Sequence, residues 1–174
     1  MGLDSVEIVV GWEETFGIEL ENTEAAALRT PSQAIDLICR KLGAADEPGF
    51  CAPMRAYHRF RSGIRSAISD PTKRISPSDS LHSLCIGKSK QFWSEFECAT
   101  GIKGFRPPSI LFRRATVRDA VEVIVARHLR WLLKPSEMWT RSLVRTGVRY
   151  GVIDVVGLRN FADDDEFVAD IGIS

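Results

Sequence analysis

Apolar residues along this chain recur at helical spacing far more often than they alternate. Val6, Val9, Val10 and Phe16, with Glu13 beside them, form an amphipathic stripe that predicts a helix ending at Gly17. A helical turn or two follows over Thr23 to Leu28. Thr30-Pro31-Ser32-Gln33 then reads as a helix start, with Thr as cap, Pro at the first position and Gln able to close a capping box. That helix carries Ile35 and Ile38 and reaches about Leu42. A linker rich in Gly, Pro and acids is expected over Gly43 to Pro53. From Met54 a basic helix is predicted to about Ser69, with Tyr57, Phe60, Ile64 and Ile68 along one side. Ile75, Pro77, Leu81 and Leu84 read as a loop with apolar anchors, and Gln91 to Thr100 as a helix carrying Phe92, Trp93 and Phe96. After the Arg106-Pro107-Pro108 break, Thr116-Val-Arg-Asp119 caps a long apolar helix through about Leu133, and a final helix is predicted from about Glu137 to Val152. Alternating runs and Asn-Gly or Asp-Gly turns are missing, so the fold class is all-α.

Net charge is zero, from 23 basic and 23 acidic residues, and by itself names no partner. Its distribution is uneven. Residues 51–134 hold 16 Lys/Arg against 6 Asp/Glu, whereas residues 1–50 hold 3 against 10 and residues 135–174 hold 4 against 7. A basic middle flanked by acidic ends suggests two modules, residues 1–46 plus 136–174 and residues 50–134. Cys39, Cys51, Cys85 and Cys98 show no C-x-x-C pairing, which fits reduced thiols in a cytoplasmic protein. No apolar run approaches a membrane span, and Val6 stands where a myristoylation signal wants Ser or Thr. A soluble chain without a membrane partner is expected.

Two distant stretches resemble the acyl carrier protein family. In the first, Leu3-Asp4-Ser5-Val6-Glu7-Ile8, the acid pair Glu13-Glu14 and Phe16 are similar to the family's second helix. Glu19-Leu20, Glu24-Ala25 and Thr30-x-x-x-Ala34-Ile35-Asp36-x-Ile38 continue the match without a gap from residue 3 to residue 38. In the second, Phe167-Val168-Ala169-Asp170-Ile171-Gly172 is similar to the stretch that precedes the family's carrier serine, and Val148 to Leu158 resembles the end of its first helix. The resemblance implies a helical carrier-like bundle that is circularly permuted, with new ends in the loop before the second helix. The middle segment resembles a second, degenerate copy inserted between the two parts. Thr116 to Ile124 echoes Thr30 to Ile38, and Lys88 and Lys90 surround Ser89 where the family has acids.

In that family a phosphopantetheine arm is attached to the serine at the start of the second helix, where free backbone N–H groups and the helix dipole favour a phosphodiester. The gapless register sets Met1 at the family's Asp and Gly2 at its carrier serine; Ser5 falls three residues later. Sliding Ser5 into the slot would rotate the helix by about 60° and turn its apolar stripe out of the core. Gly2 has no hydroxyl, so the resemblance implies a non-catalytic protein that works by docking, without an arm. The alternative is a true carrier with phosphopantetheine on Ser5, or less readily on Ser174, which permutation brings near Gly2.

The implied docking surface for acyl-pathway enzymes is acidic: Asp4, Glu7, Glu13, Glu14 and Glu24. Exchange of the C-terminal helix between two copies would give a homodimer. A further alternative is binding of nucleic acid or another acidic partner by the basic middle, where Arg55, Arg59, Arg61 and Arg65 follow one another along a helix with Tyr57 and Phe60 interleaved. Those two aromatics follow the apolar stripe and read as core, and no nucleic-acid motif accompanies them. His58, His82 and His128 are scattered without a metal-ligand spacing, and no Gly-rich phosphate loop is present, so an enzyme is not expected.

Overall fold

The computed structural model describes residues 2–85, 90–105 and 114–173, and within them the regular structure is helical. Eight α-helices follow in order: α1 Leu3–Phe16, α2 Asn22–Ala27, α3 Pro31–Leu42, α4 Ala52–Ala67, α5 Leu81–Cys85, α6 Lys90–Thr100, α7 Val117–His128 and α8 Arg141–Val156. A 3₁₀ turn over Leu129–Leu132 extends α7. The β contacts of the described residues are two isolated bridges, Ala45 with Thr140 and Ser80 with Thr116. Ser89 with Lys88, the Arg106-Pro107-Pro108 break, Met1 and Ser174 lie outside the described residues.

The chain divides into two compact units. One comprises Met1–Phe50 with Leu133–Ser174, the other Cys51–Leu132.

In the first unit α8 packs on both α1 and α3. The buried face of α1 is Ile8, Trp12, Thr15 and Phe16. This corrects the expected stripe, because Val6 and Val10 are exposed and Val9 is only half-buried. The large side chains at i, i+4 and i+8 take the inner face and turn the valines outward. Helix α1 ends on Gly17 in the left-handed conformation (φ 67°). Thr30 caps α3 by accepting a hydrogen bond from the Gln33 amide, while the Gln33 side chain accepts from the Arg29 amide instead of closing back on Thr30. Helix α8 begins at Arg141, not at Glu137, because the Thr140 hydroxyl caps it by accepting from the Leu143 amide. Ala45 pairs with residues on either side of Thr140, donating to the Trp139 carbonyl and accepting from the Arg141 amide. That pairing holds residues 139 and 140 extended until the cap.

In the second unit α4 packs on α6 and α7. Phe60 and Ile64 of α4 are fully buried, and Phe60 meets Phe96 (5.6 Å) and Phe105 (6.1 Å) edge-on. Tyr57 is half-buried and donates its hydroxyl to the Ile75 carbonyl at 2.5 Å. The apolar anchors predicted as loop include a short helix, α5, that buries Leu81 and Cys85. Thr116 and Asp119 form a reciprocal capping box at the start of α7.

Candidate functional site

The start of α1 is where the sequence concentrates its candidate chemistry. Gly2 is the cap residue, with extended backbone and no side chain to satisfy the first amide groups of the helix. Ser5 sits inside the first turn, half-buried. Both line a cavity of about 280 Å³ whose other walls are apolar except for Arg29, among them Val9, Trp12, Leu28, Phe167 and Ile173. Three elements build it. Helix α1 supplies the floor, α2 and the residues after it one side, and the C-terminal segment the other. That segment is anchored by the Phe167 amide donating to the Arg29 carbonyl (2.8 Å) and by the Ile173 amide donating to the Phe167 carbonyl (2.8 Å). The Phe167 ring lies 6.1 Å from that of Trp12, so the base of the cavity is aromatic.

Trp12 is 1% exposed and fixes this corner of the unit. Its indole Nε1–H points at the Val148 carbonyl of α8 (3.4 Å), and Gly151 one turn further leaves room for the ring.

The five acids of the expected docking surface do not share one environment. Glu13 Oε1 accepts a hydrogen bond from the Leu20 amide at 2.7 Å and so ties the end of α1 to the next segment. Glu24 closes the α2 capping box with Glu21 and pairs with Lys41 at 2.7 Å. The hydrogen bond from Lys41 and that from the Glu21 amide hold the Glu24 carboxyl below its usual value. Asp4 is half-buried in the first turn. Glu7 and Glu14 are exposed and lie on the same side of α1 as Leu3, Val6 and Val10, which are 86%, 46% and 44% exposed. Positions 3, 7, 10 and 14 define that side. The outward face of α1 is thus an apolar strip edged by two carboxylates. Sequence reasoning missed its apolar half by assigning Val6 and Val10 to the core; the spacing of Ile8, Trp12 and Phe16 was the available signal.

The basic residues of α4 divide in the same manner. Arg55 donates to the Leu132 carbonyl (3.1 Å), and Arg59 donates to the carbonyls of Thr100 (3.2 Å), Leu132 (3.2 Å) and Trp131. Arg61 and Arg65 point elsewhere, to a groove lined also by His58. His128 packs against Phe105 (6.1 Å), where burial, then the nearby Arg127 and Arg130, hold its pKa below the usual histidine value. Among the described residues no group of three or more His, Cys, Asp or Glu side chains is placed to hold a metal ion. No helix among them is long and apolar enough to cross a membrane.

The fold and this site define a helical protein with an apolar cavity at the start of an acid-edged helix. By sequence the chain is similar to the acyl carrier protein of Thermosynechococcus vestitus, with 43% identity over 42 residues, 24% of this chain and 52% of that protein. The chain therefore spans about half the length of that relative. No family model matches the chain, and no solved structure matches it. What is shared is a carrier-like segment.

Proposed function

We propose that this chain is an acyl-carrier-like protein that acts by docking to enzymes of an acyl pathway and has no phosphopantetheine arm of its own. The observation that carries the reading is Gly2 at the cap of α1. In the gapless register that position belongs to the modified serine, and the next hydroxyl, Ser5, lies half-buried inside the helix. The outward face of α1, with Leu3, Val6 and Val10 flanked on one side by Glu7 and Glu14, is the docking surface: apolar area for affinity, charge at the rim for orientation.

In this reading the first unit is a permuted carrier bundle and the second a degenerate copy of it. Packing supports both parts. Helix α8 contacts α1 and α3 as α4 contacts α6 and α7. In each case a glycine of the central 16-residue helix sits at the crossing, Gly151 against Trp12 and Gly63 against Phe96 and Thr100. Thr30 and Thr116 cap the corresponding third members, α3 and α7.

The test is incubation of the full chain with coenzyme A and a broad-specificity phosphopantetheinyl transferase, followed by intact mass and peptide mapping. No adduct is expected. An adduct on Ser5, which lines the cavity, would overturn the armless reading and make the chain a carrier in its own right.

A further inference from the structure

Two arginines of α4, Arg55 and Arg59, bond the carbonyls of Thr100, Trp131 and Leu132; the other two line a groove. Arg61 and Arg65, one helical turn apart, line an open groove of about 620 Å³ together with His58, Ser62, Ser66 and Ser69. Each guanidinium is already positioned. Arg61 Nη2 lies 3.1 Å from His58 Nδ1, and its guanidinium stands 5.4 Å from the centre of the Tyr57 ring. Arg65 donates through Nε to the Lys73 carbonyl at 2.8 Å. Among the described residues neither is ion-paired with a carboxylate. Asp70, just past the end of the helix, is turned back on its own loop, where Oδ1 accepts from the Thr72 amide and hydroxyl and from the Lys73 amide.

Guanidinium pairs flanked by hydroxyls are the donor set that suits a tetrahedral oxyanion, because several N–H and O–H groups converge on oxygens carrying full charge. Prior anchoring of both side chains lowers the ordering cost of binding. The groove also lies toward the C-terminal end of α4, where the helix dipole disfavours an anion. Attraction must therefore come from the two arginines, which makes their removal a decisive test.

We propose that this groove binds the phosphate group of a small phosphate ester. Nucleic acid is the less favoured polyanion here. Phe60 is fully buried, Tyr57 is tied to the Ile75 carbonyl, and no Phe, Tyr or Trp lines the groove to stack a base; its one aromatic ring, the His58 imidazole, is engaged by Arg61. The proposal is independent of the docking role assigned to α1, since it concerns a different helix and a different ligand.

The experiment is titration of the full chain with glycerol 3-phosphate, and separately with a twelve-nucleotide single-stranded RNA, observed through the backbone amide resonances. Saturable shifts centred on residues 58–69 are expected with the ester. The double variant Arg61→Gln/Arg65→Gln should weaken binding at least tenfold, Arg61→Lys by a smaller factor, and Arg118→Gln on α7 not at all. Circular dichroism checks that each variant is folded; should the double variant unfold, Arg61→Lys against Arg118→Gln decides. Absence of saturable binding, or equal binding by the arginine variants, would overturn the proposal. So would RNA binding a hundredfold tighter through the same residues, which would make the groove a nucleic-acid surface.

Discussion

Trp12 sets the Nε1 edge of its indole against Gly151 of α8: a methyl group on Gly151 would stand 2.7 Å from the indole Nε1 and 3.0 Å from Cδ1. Alanine in a helix interior is ordinarily about 1 kcal/mol better than glycine. Here the rigid, fully buried ring cannot yield, and overpacking costs about 1–3 kcal/mol. Gly151→Ala is therefore expected to lower the urea midpoint. Gly11→Ala supplies the contrast, since nothing lies within 4 Å of its added methyl, and it should raise stability by about 0.5–1 kcal/mol. If both substitutions move stability in the same direction, the close approach of Trp12 to α8 is not what holds this corner together.

Gly2→Ser tests the register directly. The new hydroxyl would stand at the cap of α1, so a folded G2S protein should gain an adduct of phosphopantetheine mass in the transferase reaction, on residue 2, while the unchanged chain stays bare. Serine is only a few tenths of a kcal/mol better than glycine as a cap, so stability should scarcely move. Modification of Ser5 in both proteins would show the register to be three residues off.

Asp163 predicts an acid-sensitive clamp. It accepts from Arg149 (2.6 Å) and from Arg145, while its backbone carbonyl accepts from the Ser32 amide. Burial pushes its carboxyl up, but the two guanidinium hydrogen bonds outweigh that and hold it below the ordinary carboxylate value. A carboxyl with a depressed folded pKa contributes stability that is complete above the unfolded value of about 4 and is lost as the pH falls through the folded one. Asp163→Asn should accordingly cost about 1–2 kcal/mol at pH 7. Unfolding curves at pH 7 and pH 2.5 check this: the gap between the two proteins should shrink at the lower pH, and a gap of constant size would assign the loss to something other than charge.

Arg59 bonds three carbonyls from two segments of its unit, those of Thr100, Trp131 and Leu132. Its truncation in Arg59→Ala leaves part-buried acceptors without a donor and is expected to cost about 2 kcal/mol. A basic residue serving only as solvated surface charge would give a change below about 0.5 kcal/mol in the same denaturation experiment.

Helix existence was legible because amphipathic spacing and start signals agree: Thr30-Pro31 and Thr116 to Asp119 are caps in the structure as in the sequence. Orientation was harder. Small valines at positions 6 and 10 and large residues at 8, 12 and 16 each define a stripe on α1, and only packing volume decides between them; the larger set went inward. Helix α8 starts about four residues later than its sequence predicts, because the pairing of Ala45 around Thr140 is a long-range contact with no local signature. The acids of the expected docking surface were legible as charge but not as roles. Glu13 and Glu24 look no different in sequence from Glu7 and Glu14, yet a backbone amide and Lys41 engage them.

The carbonyl of Leu132 rests on Arg55, in the first turn of α4, so the second unit begins and ends at one place. For the first unit this segment is an excursion of roughly 80 residues between Phe50 and Leu133. Closing so long a flexible loop costs about 4 kcal/mol in chain entropy beyond the fixed term. Once the excursion has folded, its ends emerge together and most of that cost has been met. Order of assembly is thereby written into the topology: α3 and α8 find each other fastest after the segment between them has closed, and a substitution that unfolds the interior, such as Phe60→Ala, will slow the refolding of helices it does not touch.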